Sequence, residues 1–232
     1  PLGVSVSEEK RRRLAEVAEA YRLPIVEDDP YGFLAYDGRC APPVRAYNDT
    51  HVLYVGSFSK ILAPALRLGW LIAPEALLPK LTVIKEAGDL ESSALTQRAV
   101  AAYLDAGHLP AHVARLRDEY RRRRDTMLAA MARCFPPGLV WTRPRAGMFI
   151  WVRLPEGVDS VALLETALER ERVAFIPGHA FALPGVSARH YMRLNFSNCC
   201  LDDIEDGIAR LGRVLTEACG GAGERPIDLL TT

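Results

Sequence analysis

The chain has 232 residues, and its 29 basic and 29 acidic side chains cancel to a formal net charge of zero. This balance creates no global field that would attract nucleic acid or an anionic membrane, so neither partner is predicted. Hydrophobic residues make up 49% of the sequence, which is enough for a buried core, but no apolar run approaches the roughly 20 residues that a membrane-spanning helix needs.

Helical and strand patterns alternate in the first part of the chain, as in an α/β protein. Residues 7–21 predict a helix with Ser7 as its N-cap and the basic run 10–13 on its outer side. The inner side of this helix is predicted to carry Leu14, Val17 and Ala18. Strands are predicted at 23–26, 51–56 and 68–73, and a further helix runs from Pro74 toward Lys85.

A polar segment, the Glu-Asp-Asp-Pro-Tyr run at 27–31, follows the first predicted strand. It falls where a strand meets its loop, and in doubly wound sheets that edge is where ligands bind. An aspartate and a tyrosine there could contact polar atoms of a ligand ring. Taken alone, the segment is better explained as an acidic turn in which Pro30 fixes the backbone.

The most informative motif is the Ser-Phe-Ser-Lys run at 57–60, which is followed seven residues after Lys60 by Arg67. A lysine can form a Schiff base with an aldehyde cofactor, while hydroxyls and an arginine can hold a phosphate group. Pyridoxal phosphate carries both an aldehyde and a phosphate group. An aspartate at the strand edge could keep the ring nitrogen of this cofactor protonated. Alone, however, such a tetrapeptide is common, and its lysine is more often a solvated surface residue.

The second half of the chain changes character, which indicates a domain boundary. Residues 110–134 predict a long helix that joins two domains, and its arginine run at 121–124 is interpreted as a solvated face because acids dilute it. Strands are then predicted at 139–142, at 148–153, and near Ala174 and Tyr191, with helices at 160–170 and 201–215. We therefore predict domains at 1–109 and 110–219, the latter of α+β type, and a disordered tail at 220–232.

Together these segments resemble the fold-type I, pyridoxal phosphate-dependent aminotransferases of class I/II, in particular the branch of the 2-aminoadipate aminotransferases. The resemblance continues in later motifs at 145–151, 173–178 and 192–196. It implies an α/β fold with part of a large domain, built on a mainly parallel sheet, and a C-terminal α+β small domain. It also implies transfer of an amino group between an L-amino acid (2-aminoadipate, branched-chain or aromatic) and a 2-oxo acid such as 2-oxoglutarate, by a homodimer.

The resemblance assigns five residues to the cofactor. It implies that Lys60 is the catalytic lysine that binds pyridoxal phosphate covalently. Asp28 matches the partner of the pyridinium nitrogen, and Tyr31 matches the contact to the 3-oxygen of the ring. Ser57 and Arg67 match the residues that bind the phosphate group.

A sixth residue, Arg193, matches the arginine that clamps the α-carboxylate of the substrate. A planar guanidinium suits this task better than a lysine because it can bind a carboxylate with two parallel hydrogen bonds. Without the resemblance, the simpler interpretation is that Arg193 is an ordinary arginine on a strand that pairs with a surface acid.

Several questions stay open at the level of the sequence. Residues 1–3 resemble the tail of the family's Asn-Pro-x-Gly turn, so we expect a C-terminal part of a longer enzyme that binds cofactor poorly by itself. An alternative from another class is the effector-sensing domain of a MocR-type transcription regulator. A lyase or racemase could also use the same lysine and aspartate, because a fold does not fix the reaction.

The five cysteines bear on the compartment and on metals. Their number is odd and no Cys-x-x-Cys pair occurs, so neither a disulfide framework nor a zinc site is predicted. The histidines show no ligand spacing, and no other metal site is predicted. A reducing cytoplasm is therefore the expected compartment.

Overall fold

The computed structural model describes residues 3–37 and 41–220. The chain forms two compact units, of which the first is Ser5–Arg117 and the second contains residues 3–4 and 118–220. No helix in the described part of the chain has both the length and the apolar character that crossing a membrane requires. The domain limits derived from the sequence stay a prediction for the whole protein, and the predicted tail beyond Gly220 lies outside the described residues.

Among its described residues, the first unit contains a three-stranded sheet, three α-helices and the beginning of a fourth, together with short 3₁₀ helices. Its helices are α1 (Glu8–Tyr21), α2 (Leu78–Asp89), α3 (Ala94–Asp105) and the beginning of α4 (His108–Cys134). Its strands are β1 (Ile25–Asp28), β2 (Val52–Ser57) and β3 (Gly69–Ile72), in the order β1-β2-β3. Strand β1 pairs with β2 in parallel, whereas β3 returns antiparallel to β2. Helix α3 is not among the elements predicted from the sequence.

Helix α1 begins as predicted, with the Ser7 side chain accepting a hydrogen bond from the Lys10 amide at 3.3 Å. The predicted inner face is wrong at Leu14, which is 44% exposed, while Ala15 and Ala18 are buried. Small side chains at these two positions allow the helix to approach the sheet closely. The apolar stripe that faces the core is therefore carried by alanines.

The outer face of α1 also differs from the prediction at one position. Arg11 is not solvated but forms an ion pair with Glu27 of β1 at 3.0 Å, with side-chain exposures of 16% and 11%. The same carboxylate accepts hydrogen bonds from the backbone amides of Val44 and Arg45. A buried charge needs such partners, so Glu27 fixes the rotation of α1 and the course of the loop before β2.

The two faces of the first sheet have different roles. Ile25 and Val52 are paired in the parallel register and pack in one cluster with Ala15 of α1. Because side chains alternate along a strand, Asp28 and Ser57 project from the opposite face. The helix therefore covers one face, while polar residues mark the end of the other.

Among its described residues, the second unit contains a four-stranded antiparallel sheet, two complete α-helices and the rest of α4. Its strands are β4 (Val140–Trp141), β5 (Phe149–Arg153), β6 (Ile176–Pro177) and β7 (Tyr191–Asn195), in the order β4-β5-β7-β6. Its helices are α5 (Ser160–Glu171) and α6 (Leu201–Ala218), together with the rest of α4. On the central strands, Ile150, Val152 and Met192 are fully buried and form one apolar face. The predicted strands and helices of this unit are thus present, with shifts of a few residues at their ends.

The arginine run 121–124 is only half solvated. Its first two members are exposed and pair with acids on the same helix. Arg123 and Arg124 are instead mostly buried, and they donate to the backbone carbonyls of Ser197 and Pro144. The interpretation as a solvated face is therefore wrong for these two residues, which anchor loops of the second unit to α4.

Candidate active site

The carboxyl ends of β1 and β2 bring an acid and a hydroxyl to one edge of the sheet. In the parallel register, Asp28 lies opposite Val55, and Ser57 follows two residues later on the same face. The Asp29 amide extends the ladder by donating to the Val55 carbonyl at 3.0 Å. Asp28 and Ser57 thus stand at the edge where doubly wound sheets bind ligands.

Lys60 lies in the loop that joins β2 to β3. The loop is closed by the Ser57–Gly69 pair and by a hydrogen bond from the Phe58 amide to the Leu68 carbonyl at 3.1 Å. Inside it, the Phe58 carbonyl accepts hydrogen bonds from the amides of residues 61, 62 and 63, which makes the turn around Lys60 tight. The Lys60 side chain has no hydrogen bond or ion pair with the residues that the structure describes, so its amine is available to a ligand.

The phosphate-binding candidates flank this lysine. The Ser57 hydroxyl oxygen accepts a hydrogen bond from the Ser59 amide at 3.1 Å, so its own O–H group remains a donor for a ligand. Arg67 adopts a left-handed conformation with φ of 50°, an uncommon region for a residue with a side chain. This conformation ends the short 3₁₀ helix Pro64–Leu66 and turns the chain into β3. The exposed Arg67 therefore lies at the same edge of the sheet as Ser57.

Tyr31 and the second acid lie in the turn after β1. Tyr31 is half-buried and immediately precedes the 3₁₀ helix Gly32–Leu34. The Asp29 carboxylate accepts a hydrogen bond from the buried Tyr54 hydroxyl at 3.3 Å. A Cβ atom on Gly32 would stand 2.0 Å from the same carboxylate oxygen, so the carboxylate lies directly against the glycine. Burial, reinforced by the charge of Asp29, raises the pKa of Tyr54.

Trp70 supports the loop that carries Lys60 from the face of the sheet opposite to Ser57. Its ring lies 4.8 Å from the ring of Phe58, measured between centroids. Its indole also occupies the space over Gly56, where an added Cβ would stand 2.2 Å from the atom Cε2. Any side chain at position 56 would displace the indole, so the close approach of Trp70 requires a glycine here. Sequence reasoning did not single out Gly56, whose signal is a glycine within an apolar strand.

Arg193 belongs to the second unit, on β7, whereas the other five predicted site residues belong to the first. Its register partner on β5 is Trp151. The guanidinium carbon lies over the ring of Phe149 at 4.0 Å and over the ring of Phe181 at 4.3 Å. The arginine is thus in contact with the faces of two aromatic rings.

The groups at the sheet edge of the first unit suit a phosphorylated aromatic aldehyde. Lys60 offers an amine for a carbonyl carbon, and Asp28 offers a carboxylate for a protonated ring nitrogen. Ser57 and Arg67 offer a hydroxyl donor and a cation, the combination that phosphate groups bind. No cluster of three or more potential metal ligands occurs among the described residues.

Comparison with known proteins defines the class of fold. The solved structure of LysN, the α-aminoadipate aminotransferase of Thermus thermophilus complexed with N-(5'-phosphopyridoxyl)-L-leucine, matches with a TM-score of 0.86 and 34% identity. The match covers 92% of this chain and 55% of LysN. The chain therefore has the α/β fold of the fold-type I aminotransferases, which confirms the predicted fold class.

The family follows from the sequence comparisons. The family described as Aminotransferase class I and II matches residues 1–211. Aromatic-amino-acid aminotransferase 1 of Thermococcus litoralis is 40% identical over 94% of this chain and 52% of its own length. The uncharacterized HTH-type transcriptional regulator YdfD of Bacillus subtilis is 33% identical over 94% of this chain and 44% of its own. The chain belongs to the class I and II aminotransferase family, as the resemblance indicated, and it spans about half the length of these relatives.

Proposed function

We propose that the whole protein is a pyridoxal phosphate-dependent aminotransferase that moves an amino group between an L-amino acid and a 2-oxo acid. The observation that carries the proposal is the position of Lys60, in a tight loop at the sheet edge that also carries Asp28 and Ser57, in a chain of this family. The phosphopyridoxyl ligand of the LysN complex supports the same cofactor.

The proposed roles follow from the chemistry of each group. Pyridoxal phosphate, when bound, supplies an electron-withdrawing ring that stabilises negative charge on the substrate's α-carbon. Lys60 holds the cofactor covalently, and as a free amine its Nζ serves as the general base for the α-proton of the substrate. Asp28 keeps the ring nitrogen protonated, Tyr31 binds the 3-oxygen, and Ser57 and Arg67 bind the phosphate group.

The test uses the complete protein loaded with pyridoxal phosphate and a panel of amino acids. We expect aromatic, branched-chain or 2-aminoadipate substrates to yield pyridoxamine phosphate and the matching 2-oxo acid, and 2-oxoglutarate to reverse the reaction. A Lys60→Ala variant should lose turnover by several orders of magnitude because it lacks the base. Lys80→Ala, which changes an exposed lysine at the start of α2, is the matched control and should react normally. Near-normal transamination by Lys60→Ala would contradict the proposal.

Substrate binding is tested separately through Arg193, the proposed clamp for the α-carboxylate. An Arg193→Lys variant keeps the charge but loses the two-pronged hydrogen bond, so we expect kcat/KM toward amino acids to fall by about 100-fold or more. Arg170→Lys is the control, because Arg170 is exposed and pairs with Glu217 on the surface. Unchanged kcat/KM in Arg193→Lys would remove Arg193 from the site.

A second candidate function is an effector-sensing domain in a transcription regulator, which the 33% identity to YdfD favours. Such a domain would bind the cofactor at Lys60 and yet give no pyridoxamine phosphate with any amino acid in the panel. The same titration therefore separates the two functions. A product other than a 2-oxo acid would instead indicate a lyase or a racemase.

We also propose that the complete protein is a homodimer in a reducing cytoplasm. The four cysteines in the described part of the chain, at 134, 199, 200 and 219, form no disulfide, which is in keeping with that compartment. Light scattering of the complete protein should give the mass of a dimer.

A further inference from the structure

We propose that Phe149 and Phe181 are positioning residues, which fix the guanidinium of Arg193 so that it meets a substrate carboxylate in one defined orientation. The inference rests on the proposed role of Arg193 as the carboxylate clamp and deepens it. Each ring contacts the cation and neither is required to touch the carboxylate, so their effect is exerted through Arg193.

The first observation is the geometry around the guanidinium. Its central carbon lies 4.0 Å from the ring centroid of Phe149 and 4.3 Å from that of Phe181, over both rings. Distances of this size are well within the range of attractive cation–π contacts. The N–H groups of a guanidinium lie in its plane, so a ring against its face does not block paired hydrogen bonds with a carboxylate.

The second observation is that both rings are themselves held in place. Phe149 lies on β5, diagonally across the strand pair from Arg193, since the register pairs it with Asn195. Phe181 ends the 3₁₀ helix Gly178–Phe181 and packs edge-on against Trp151, with centroids 5.7 Å apart. The strand register thus places Phe149 beside Arg193, and the contact with Trp151 supports the position of Phe181.

Gly178 explains how the element that carries Phe181 comes so close to β7. A Cβ atom at position 178 would stand 2.5 Å from the Ala188 carbonyl oxygen and 2.6 Å from the Cβ of Tyr191. Only a residue without a side chain permits this approach. The turn at 178–181 is thus built to deliver the ring of Phe181 to the β7 arginine.

The consequence is that Arg193 is ordered before a substrate arrives. An arginine loses side-chain entropy when it binds, and prior ordering removes that cost from the affinity for the carboxylate. The aromatic faces also displace water from the cation, which strengthens its attraction for an anion. With a flexible aliphatic residue in place of either ring, Arg193 would keep its charge but would lose both the prior ordering and the exclusion of water.

The test measures equilibrium binding to the complete protein loaded with pyridoxal phosphate, by titration calorimetry. The probes are 4-methylpentanoate, which has a carboxylate but no amine to react, and 4-methylpentanamide, its uncharged counterpart. The variants are Phe149→Leu, Phe181→Leu and Phe181→Tyr, which keeps a ring face. Phe135→Leu removes a ring that pairs with Trp141 elsewhere in the second unit and is the matched control.

We expect each leucine variant at positions 149 and 181 to weaken binding of the carboxylate by about 3- to 30-fold. Binding of the amide should be unchanged, and Phe181→Tyr and Phe135→Leu should bind the carboxylate like the unmodified protein. Thermal melting of each variant checks that the fold is kept.

The outcomes separate this inference from the proposed function. If Arg193→Lys weakens carboxylate binding but neither leucine variant does, the clamp stands and the positioning role is wrong. The positioning role is equally wrong if the leucine variants weaken the carboxylate and the amide to the same extent. If Arg193→Lys itself leaves carboxylate binding unchanged, the clamp fails and the positioning role fails with it.

Discussion

The adjacent acids Asp28 and Asp29 have the same side chain but stand in different surroundings. Asp28 ends β1 on the face that also carries Ser57, and it is exposed. Asp29 is turned into the protein, where it accepts from Tyr54 and packs against Gly32. One acid is therefore available to a ligand, while the other fixes the turn that precedes Tyr31. The Asp-Asp dipeptide by itself does not distinguish the two roles, because the partners of Asp29 come from β2 and the following turn.

This difference predicts the behaviour of a Tyr54→Phe variant. The substitution removes a buried donor to Asp29, so we expect the free energy of unfolding near pH 7 to fall by about 1 kcal/mol. Denaturation by urea measures the change. Tyr21→Phe is the control, since Tyr21 is 73% exposed, and it should change the free energy of unfolding by about 0.5 kcal/mol or less.

The pH dependence of the same pair of proteins is a separate prediction. Because burial and then Asp29 raise the pKa of Tyr54 in the folded state, its phenol holds a proton that the unfolded chain releases near pH 10. The contribution of Tyr54 to stability is complete below that pH and declines as the pH rises toward the higher folded-state pKa. Above about pH 10, the unmodified protein should lose stability with pH more steeply than Tyr54→Phe. Equal slopes would contradict the assigned environment.

Among the elements, the loop that connects β2 to β3 determines the position of Lys60. Strand β2 runs parallel to β1 up to Ser57, and β3 returns beside it from Gly69, so the loop between them lies at the ligand-binding edge. Trp70 covers Gly56 and packs against Phe58, the residue that closes the loop. The glycine and the indole together tie the loop to the end of the sheet.

A Gly56→Ala variant tests this arrangement. The new methyl group would overlap the Trp70 indole, so we expect a loss of about 1–3 kcal/mol in the free energy of unfolding and weaker binding of pyridoxal phosphate. Gly88→Ala is the matched control because nothing lies within 4 Å of a Cβ at that helical position, and it should be neutral or stabilising by up to about 1 kcal/mol. Equal effects of the two substitutions would contradict the role of Gly56.

The sequence predicts most elements of this fold because their signals are local. Ser7 and the apolar period mark α1, and the positions of β2 and β3 follow from short apolar runs between turns. Strand β1 is observed two residues later than predicted, at Ile25–Asp28, because its ladder with β2 extends into the acids. The rotation of α1 could not be predicted, since the buried Arg11–Glu27 pair joins residues that are distant in the chain.

For the whole molecule, the sequence predicts the residues of the candidate site better than it predicts the residues that hold them in place. Lys60, Asp28 and Arg193 stand in contiguous motifs, so a family resemblance can propose their roles. The contact of the Arg193 guanidinium with the rings of Phe149 and Phe181 depends on two strands and a turn that are separate in the chain. Contacts of this kind appear only once the chain is folded, because no local pattern records which aromatic ring meets which cation.

The central claim is that Lys60 is the residue that holds pyridoxal phosphate, and chemical trapping tests it most directly. The complete protein is loaded with the cofactor, reduced with sodium borohydride, digested and examined by mass spectrometry for a phosphopyridoxyl group on lysine. This chain offers four lysines, at positions 10, 60, 80 and 85. We predict the label on Lys60 and no labelling of the other three above background. A label on a different lysine, or none on Lys60 when the cofactor is bound, would contradict the account.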